Sequence, residues 1–306
     1  MTQLHEQAPR PADSQFREVL RQQWSKGLFV SVGLDSDVAV IGGSQYEFNC
    51  ETIDAVADIA GAFKPNIAFY EDQGPQGLEV LRKTMEYLDA KYPDVPTILD
   101  YKRGDIGNTN LGYVRLAFDV MKADAVTVSP YLGQEALQPF LDNKDKGIFV
   151  LDRTSNSGAG EFQDLPIALP AFTDEYIERY GSIDELKYLV GLDSPLFYQV
   201  VAYRVSRYWN GNDNCGLVTG ATYPREISEI RKISPTLPLL IPGVGAQEGD
   251  LEGAVLAGID ATKQGILVNS SRGVIFAVKG SGHEEAARME VERLNKQINA
   301  ARQKAA

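Results

Sequence analysis

A rhythm constrains this chain more than any other feature. Short apolar runs rich in Val, Ile and Leu recur eight times, with helical patterns between them. The runs are 28–34 (LFVSVGL), 62–69 (AFKPNIAF), 96–102 (PTILDYK), 125–130 (AVTVSP), 147–153 (GIFVLDR), 215–221 (CGLVTGA), 238–244 (PLLIPGV) and 265–271 (GILVNSS). They lack polar/apolar alternation, as expected for parallel strands covered on both faces. Helical spacing follows in CETIDAVADIAGAF (ending near Gly61), PQGLEVLRKTMEYLDAKY, TNLGYVRLAFDVMKA and the C-terminal EEAARMEVERLNKQINAARQKAA. About eight strand–helix alternations point to an α/β fold, a (β/α)8 TIM barrel, with a doubly wound sheet as the alternative. Nothing reads as an interdomain linker, so residues 1–306 are expected to form one barrel domain. The segment after the fifth strand breaks the rhythm. It reads as an insertion at about 157–193 above the barrel mouth, with a helix near Glu175 to Tyr180.

Composition narrows the function. The 306 residues are 43% hydrophobic, enough for a large core. A net charge of -12, with no Lys/Arg run, argues against nucleic acid as a partner. No apolar stretch approaches the ~18 residues of a membrane span. The polar N-terminus lacks the apolar segment of a signal peptide, so a soluble cytoplasmic protein is expected. Cys50 and Cys215 are far apart and read as small buried hydrophobes. His5 and His283 lie away from strand ends, which argues against a Ser-His-Asp or Cys-His mechanism and a His-rich metal site. The chemistry is therefore left to lysine, carboxylate, hydroxyl and arginine groups.

Functional residues of such barrels gather at the C-terminal strand ends. Here those ends are polar. Asp35 closes the first run, Lys64 lies in the second, and the third ends in DYKRGDIGNT with Asp100, Lys102 and Asp105. Two residues apart on a strand, Asp100 and Lys102 would share a side. Lys64 could join them from the neighbouring strand, with Asp105 balancing the second lysine. The bland alternative is a structural ion-pair network. The seventh and eighth runs lead into GVGAQ and SSRG, the loops that commonly hold phosphate in these barrels. Glycines let backbone N–H groups approach phosphate closely, Arg272 can donate a bidentate pair of hydrogen bonds, and Gln247 can add its amide. Tight turns alone would also account for the glycines.

These residues resemble the orotidine 5′-monophosphate decarboxylase family. The likeness runs from VGLDSD (32–37) to LVNSSRG (267–273). Its most specific piece is LDYKRGDIGNT, similar to the family's D-x-K-x-x-D-I signature followed by a threonine. FKPN, PGVGAQ and SSRG fall in the expected order, and FKPNIAFYE and LDRTSNSGAG are similar to the longer, divergent branch. The resemblance implies a metal- and cofactor-independent decarboxylation of the nucleotide to uridine 5′-monophosphate and CO2. Lys64, Asp100, Lys102 and Asp105 would form the catalytic network, with Lys102 the proton donor. Asp35 and Lys64 would hold the ribose hydroxyls. Ser155, or the neighbouring Thr154, would contact the pyrimidine, and Gln247 and Arg272 the phosphate. Asp105 and Thr109 would serve the neighbouring subunit's site, which implies a homodimer. The Gly-rich loop after the seventh strand would close over the phosphate.

Three rival readings accompany this one. They are a Mg²⁺-dependent barrel decarboxylating a keto-sugar phosphate, a Schiff-base aldolase using Lys64 or Lys102, and a phosphate-ligand binder without turnover.

Overall fold

The computed structural model describes residues 14–168, 173–191, 193–244, 250–278 and 282–305. Eight parallel strands form in the expected places: β1 Val30–Gly33, β2 Ala62–Lys64, β3 Ile98–Arg103, β4 Ala125–Val128, β5 Gly147–Leu151, β6 Cys215–Val218, β7 Leu239–Pro242 and β8 Ile266–Ser270. Their order is β2-β1-β8-β7-β6-β5-β4-β3. The ring closes between β2 and β3 through parallel bridges Phe63–Thr97 and Asn66–Asp100. The fold is a (β/α)8 barrel, as the rhythm of the sequence implied.

Most strand residues are buried from both sides, which explains their unbroken apolar runs. The second run is the exception. Only its first three residues are strand, and Ala68–Glu71 turns into a short helix. Pro65 interrupts it, because proline has no N–H for a ladder.

The bottom of the barrel is plugged by aromatic rings. Phe16, from the helix Gln15–Ser25, meets Phe149 of β5 edge to face, with ring centroids 5.9 Å apart. β6 makes room with Gly216, where a Cβ would lie 2.6 Å from the Phe149 ring. The sequence reading had placed no element at 15–25; Ser14 caps this helix by accepting from the Arg17 N–H.

The expected helices form as Gln45–Val56, which starts before Cys50 and stops short of the expected end near Gly61, Pro75–Lys91, Gly107–Val114 continuing as a π-helical turn to Val120, and His283–Lys304. Within 157–193, the described residues hold three short helices, Gly160–Gln163, Asp174–Tyr180 and Asp184–Val190; Pro166 bridges to Leu196, and the helix Phe197–Arg204 then leads toward β6. Cys215 is buried, and burial pushes its thiol up to about 12; Cys50 is only half-buried. No helix among the described residues is long and apolar enough to cross a membrane.

Candidate active site

A cavity of about 500 Å³ opens at the C-terminal ends of the strands. Asp35, Lys64, Asp100, Ser155 and Arg272 all line it, although they come from five different strand ends. The barrel brings them together.

Asp100 is the hub. Its Oδ2 accepts from Lys64 Nζ at 2.8 Å, and its Oδ1 accepts from Lys102 Nζ at 2.6 Å. Thr127 of β4 donates a third hydrogen bond to Oδ1 at 2.9 Å. Asp100 and Lys64 are nearly inaccessible, at 7% and 4% exposure. Burial alone would push the Asp100 carboxyl up, but the two lysines outweigh it and hold the group well below the carboxylate range. Burial would likewise lower Lys64, yet Asp100 and Asp35 raise it above the ordinary lysine value. Each buried charge is thus kept ionised by its neighbours.

Lys102 reaches Asp100 by a different route from the simple strand pleat expected. The β3–β4 register shifts between Leu99 and Arg103, and Lys102 adopts φ 49°, the left-handed region that a long side chain rarely occupies. Its N–H is held by Thr127 Oγ1 at 3.1 Å. Thr127 therefore grips both the backbone of one charge and the carboxylate of another. Sequence reasoning missed it. The signal was available: a threonine within an otherwise apolar run, one strand over from Asp100.

Asp105 does not balance Lys102 within the chain. Its carboxylate accepts from the Ile106 N–H at 2.6 Å, and among the described residues it forms no ion pair. Asn110, fully buried, pins the Asp105 backbone by accepting from its N–H and donating to its carbonyl. Thr109 is exposed on the helix Gly107–Val114 and does not line the cavity.

Asp35 sits beside Lys64 and accepts from the Asn66 N–H at 3.2 Å. Of the two candidates after β5, Ser155 faces the cavity. The Thr154 hydroxyl is engaged instead with Asn156 and Gln163. Ser155 approaches this closely because residue 220 is glycine: a Cβ there would lie 2.6 Å from the Ser155 Cα. Arg272, also on the cavity lining, opens the short helix Arg272–Ile275 and has no carboxylate partner among the described residues. Gln247 and its Gly-rich loop lie outside the described residues.

A family model described as "Orotidine 5'-phosphate decarboxylase / HUMPS family" matches residues 29–288. The chain belongs to this family. An orotidine 5′-phosphate decarboxylase from Ralstonia pickettii is 41% identical over 292 residues, covering 93% of this chain and 98% of the relative. One from Halorubrum lacusprofundi is 44% identical over 288 residues, covering 88% and 93%. The solved structure of Leishmania donovani OMP decarboxylase superposes with a TM-score of 0.76 at 33% identity, covering 95% of this chain and 99% of that one. The family resemblance read from the sequence is borne out, and by class this family member is a carboxy-lyase.

Proposed function

We propose that the chain decarboxylates orotidine 5′-phosphate to uridine 5′-phosphate and CO2 in pyrimidine biosynthesis, without metal or cofactor. One observation carries the reading: a buried aspartate held between two lysines lines the same cavity as an arginine that has no carboxylate partner among the described residues. A nucleotide monophosphate needs both, a charged cluster for its reacting ring and an uncommitted cation for its dianion.

In this scheme Arg272 grips the phosphate, with Gln247 adding its amide, while Asp35 and Lys64 hold the ribose and Ser155 the pyrimidine. The substrate carboxylate is directed toward Asp100. Two like charges about 4 Å apart repel by roughly 4 kcal/mol at an effective dielectric near 20. That repulsion disappears as neutral CO2 leaves. The C6–carboxylate bond breaks with its electron pair remaining on C6. The Lys102 ammonium stabilises that pair and then transfers a proton to it. Lys102 regains a proton from water, which its 49% exposed side chain can reach. Phosphate binding far from C6 supplies energy for holding this geometry.

Asp105 and Thr109 complete the site of a second subunit in a homodimer, with Asp105 keeping that subunit's Lys102 charged. Asp105, just beyond β3, forms no ion pair among the described residues, which supports this assignment. The enzyme works in the cytoplasm on a small nucleotide, and residues 157–193 are an insertion in a single barrel domain. The test is the ultraviolet absorbance change of orotidine 5′-phosphate with purified protein, with and without EDTA. Turnover unaffected by EDTA supports the scheme. Turnover that EDTA abolishes, or binding of uridine 5′-phosphate without turnover, overturns it.

A further inference from the structure

A second cavity, of about 430 Å³, lies behind the wall of the first; Val40 and Phe276 line both. Among the described residues its lining holds Glu47, Glu51, Glu284 and His283, and no lysine or arginine. Neither Glu51 nor Glu284 is paired with a lysine or arginine anywhere among the described residues. Carboxylates gathered without a cation repel one another. His283 stands between two of them. It is 9% exposed, and its Nε2 is buried with no hydrogen-bond partner among the described residues. That atom lies 3.6 Å from Glu51 Oε2, while Nδ1 lies 3.5 Å from Glu284 Oε2. Phe48 stacks on the imidazole at 4.5 Å and 16° and fixes its plane.

We propose that Glu51, His283 and Glu284 bind a divalent transition-metal cation of the zinc type. One ligand atom from each residue lies within 4.8 Å of the other two. Two ligands about 2.1 Å from one tetrahedral ion stand about 3.4 Å apart. The 3.6 Å from Nε2 to Glu51 is close to that, and the partly exposed Glu284 side chain can swing in. An imidazole ligand favours zinc, nickel, cobalt or copper over magnesium or calcium. Three protein ligands leave a fourth position for water. The ion satisfies the orphaned Nε2 and neutralises the two glutamates. It also ties the helix Gln45–Val56 to the helix His283–Lys304 behind Phe276. Its role is to brace the cavity wall, and it touches no reacting atom.

The experiment uses the full chain stripped with EDTA, titrated calorimetrically with zinc chloride and, in parallel, with cobalt(II) followed by its visible ligand-field absorption. Expected are one ion per chain at micromolar affinity or tighter, a cobalt spectrum of low-symmetry nitrogen/oxygen coordination, and a raised melting temperature. E51Q and H283Q should each weaken zinc binding at least tenfold; Glu51 is exposed, so E51Q keeps the fold even if H283Q does not. Zinc bound equally well by both variants and the unaltered chain would place the ion elsewhere and overturn the site. Absence of heat and of a cobalt spectrum would also overturn it.

Discussion

Both ends of the barrel bury charge, and they satisfy it differently. At the bottom, Arg231 is buried and donates to the carbonyls of Gly258, Ser234, Leu237 and Gly265 at 2.7 to 3.0 Å. Its partners are neutral backbone atoms, at the C-terminal ends of the helices Pro224–Ile233 and Leu251–Gly258 and just before β7 and β8. Burial pulls its guanidinium down to about 10, against the pull of Asp260. At the mouth, Lys64, Asp100 and Lys102 are satisfied mainly by one another. The difference teaches what each end is for. A charge saturated by carbonyls has nothing left to offer a ligand and serves as a clasp. A charge balanced by other charges beside a cavity responds when a new charge enters.

The comparison can be broken from either side. Lys102→Ala should lower kcat by on the order of 10⁴-fold or more, since it removes both the stabilising cation and the proton donor. The melting temperature should hardly move, because the Lys102 side chain is half-exposed. Steady-state kinetics beside a thermal melt check this; near-normal kcat would remove the proton-donor assignment. Arg231→Met should do the reverse. It strands four carbonyls and costs about 3–5 kcal/mol of stability, measured by urea unfolding, while kcat per folded molecule stays constant. Arg272→Ala should lower kcat/KM about 10²-fold, with added guanidinium ion restoring part of the turnover if the loss is phosphate contact.

A smaller effect tests a buried titratable group that has neither solution. Asp152, at the end of β5, is 3% exposed, and neither carboxylate oxygen has a well-formed hydrogen bond among the described residues. Burial pushes its carboxyl well above the ordinary value; the nearby Arg153 N–H and guanidinium oppose this more weakly. The folded chain therefore holds a proton that the unfolded chain releases near pH 4. Stability falls as pH rises from there toward the folded value. Asp152→Asn should remove that slope, raising stability at pH 7 by about 1 kcal/mol, or about 2–4 °C in melting temperature. The gain should vanish near pH 4, and a gain independent of pH would contradict the buried, protonated carboxyl. Asp100 has the opposite sign. Its contribution is complete above the unfolded carboxylate value and is lost only as pH falls through its depressed folded value.

Much of this was legible in the residues. Eight apolar runs became eight strands because burial on both faces imposes the same composition on every strand of such a barrel. Asp35, Lys64, Asp100, Ser155 and Arg272 could be singled out because polar groups ending apolar runs are conspicuous, and strand ends share one rim. The rest depended on distance in space. Thr127 looks like any strand threonine until the β3–β4 pairing sets it against Asp100. The left-handed backbone at Lys102 follows from a register shift that no local pattern encodes. The helix Gln15–Ser25 gained its identity from the open end of the barrel, where Phe16 fits over Phe149. Glu51 and His283 lie near opposite ends of the chain and meet only when the last helix packs beside the helix Gln45–Val56. The sequence by itself thus determined the periodicity, the composition of the rim and the family, all of which are local. Tertiary structure decided which charges face one another, because Coulomb and hydrogen-bond energies depend on separations of a few ångströms between residues distant along the chain.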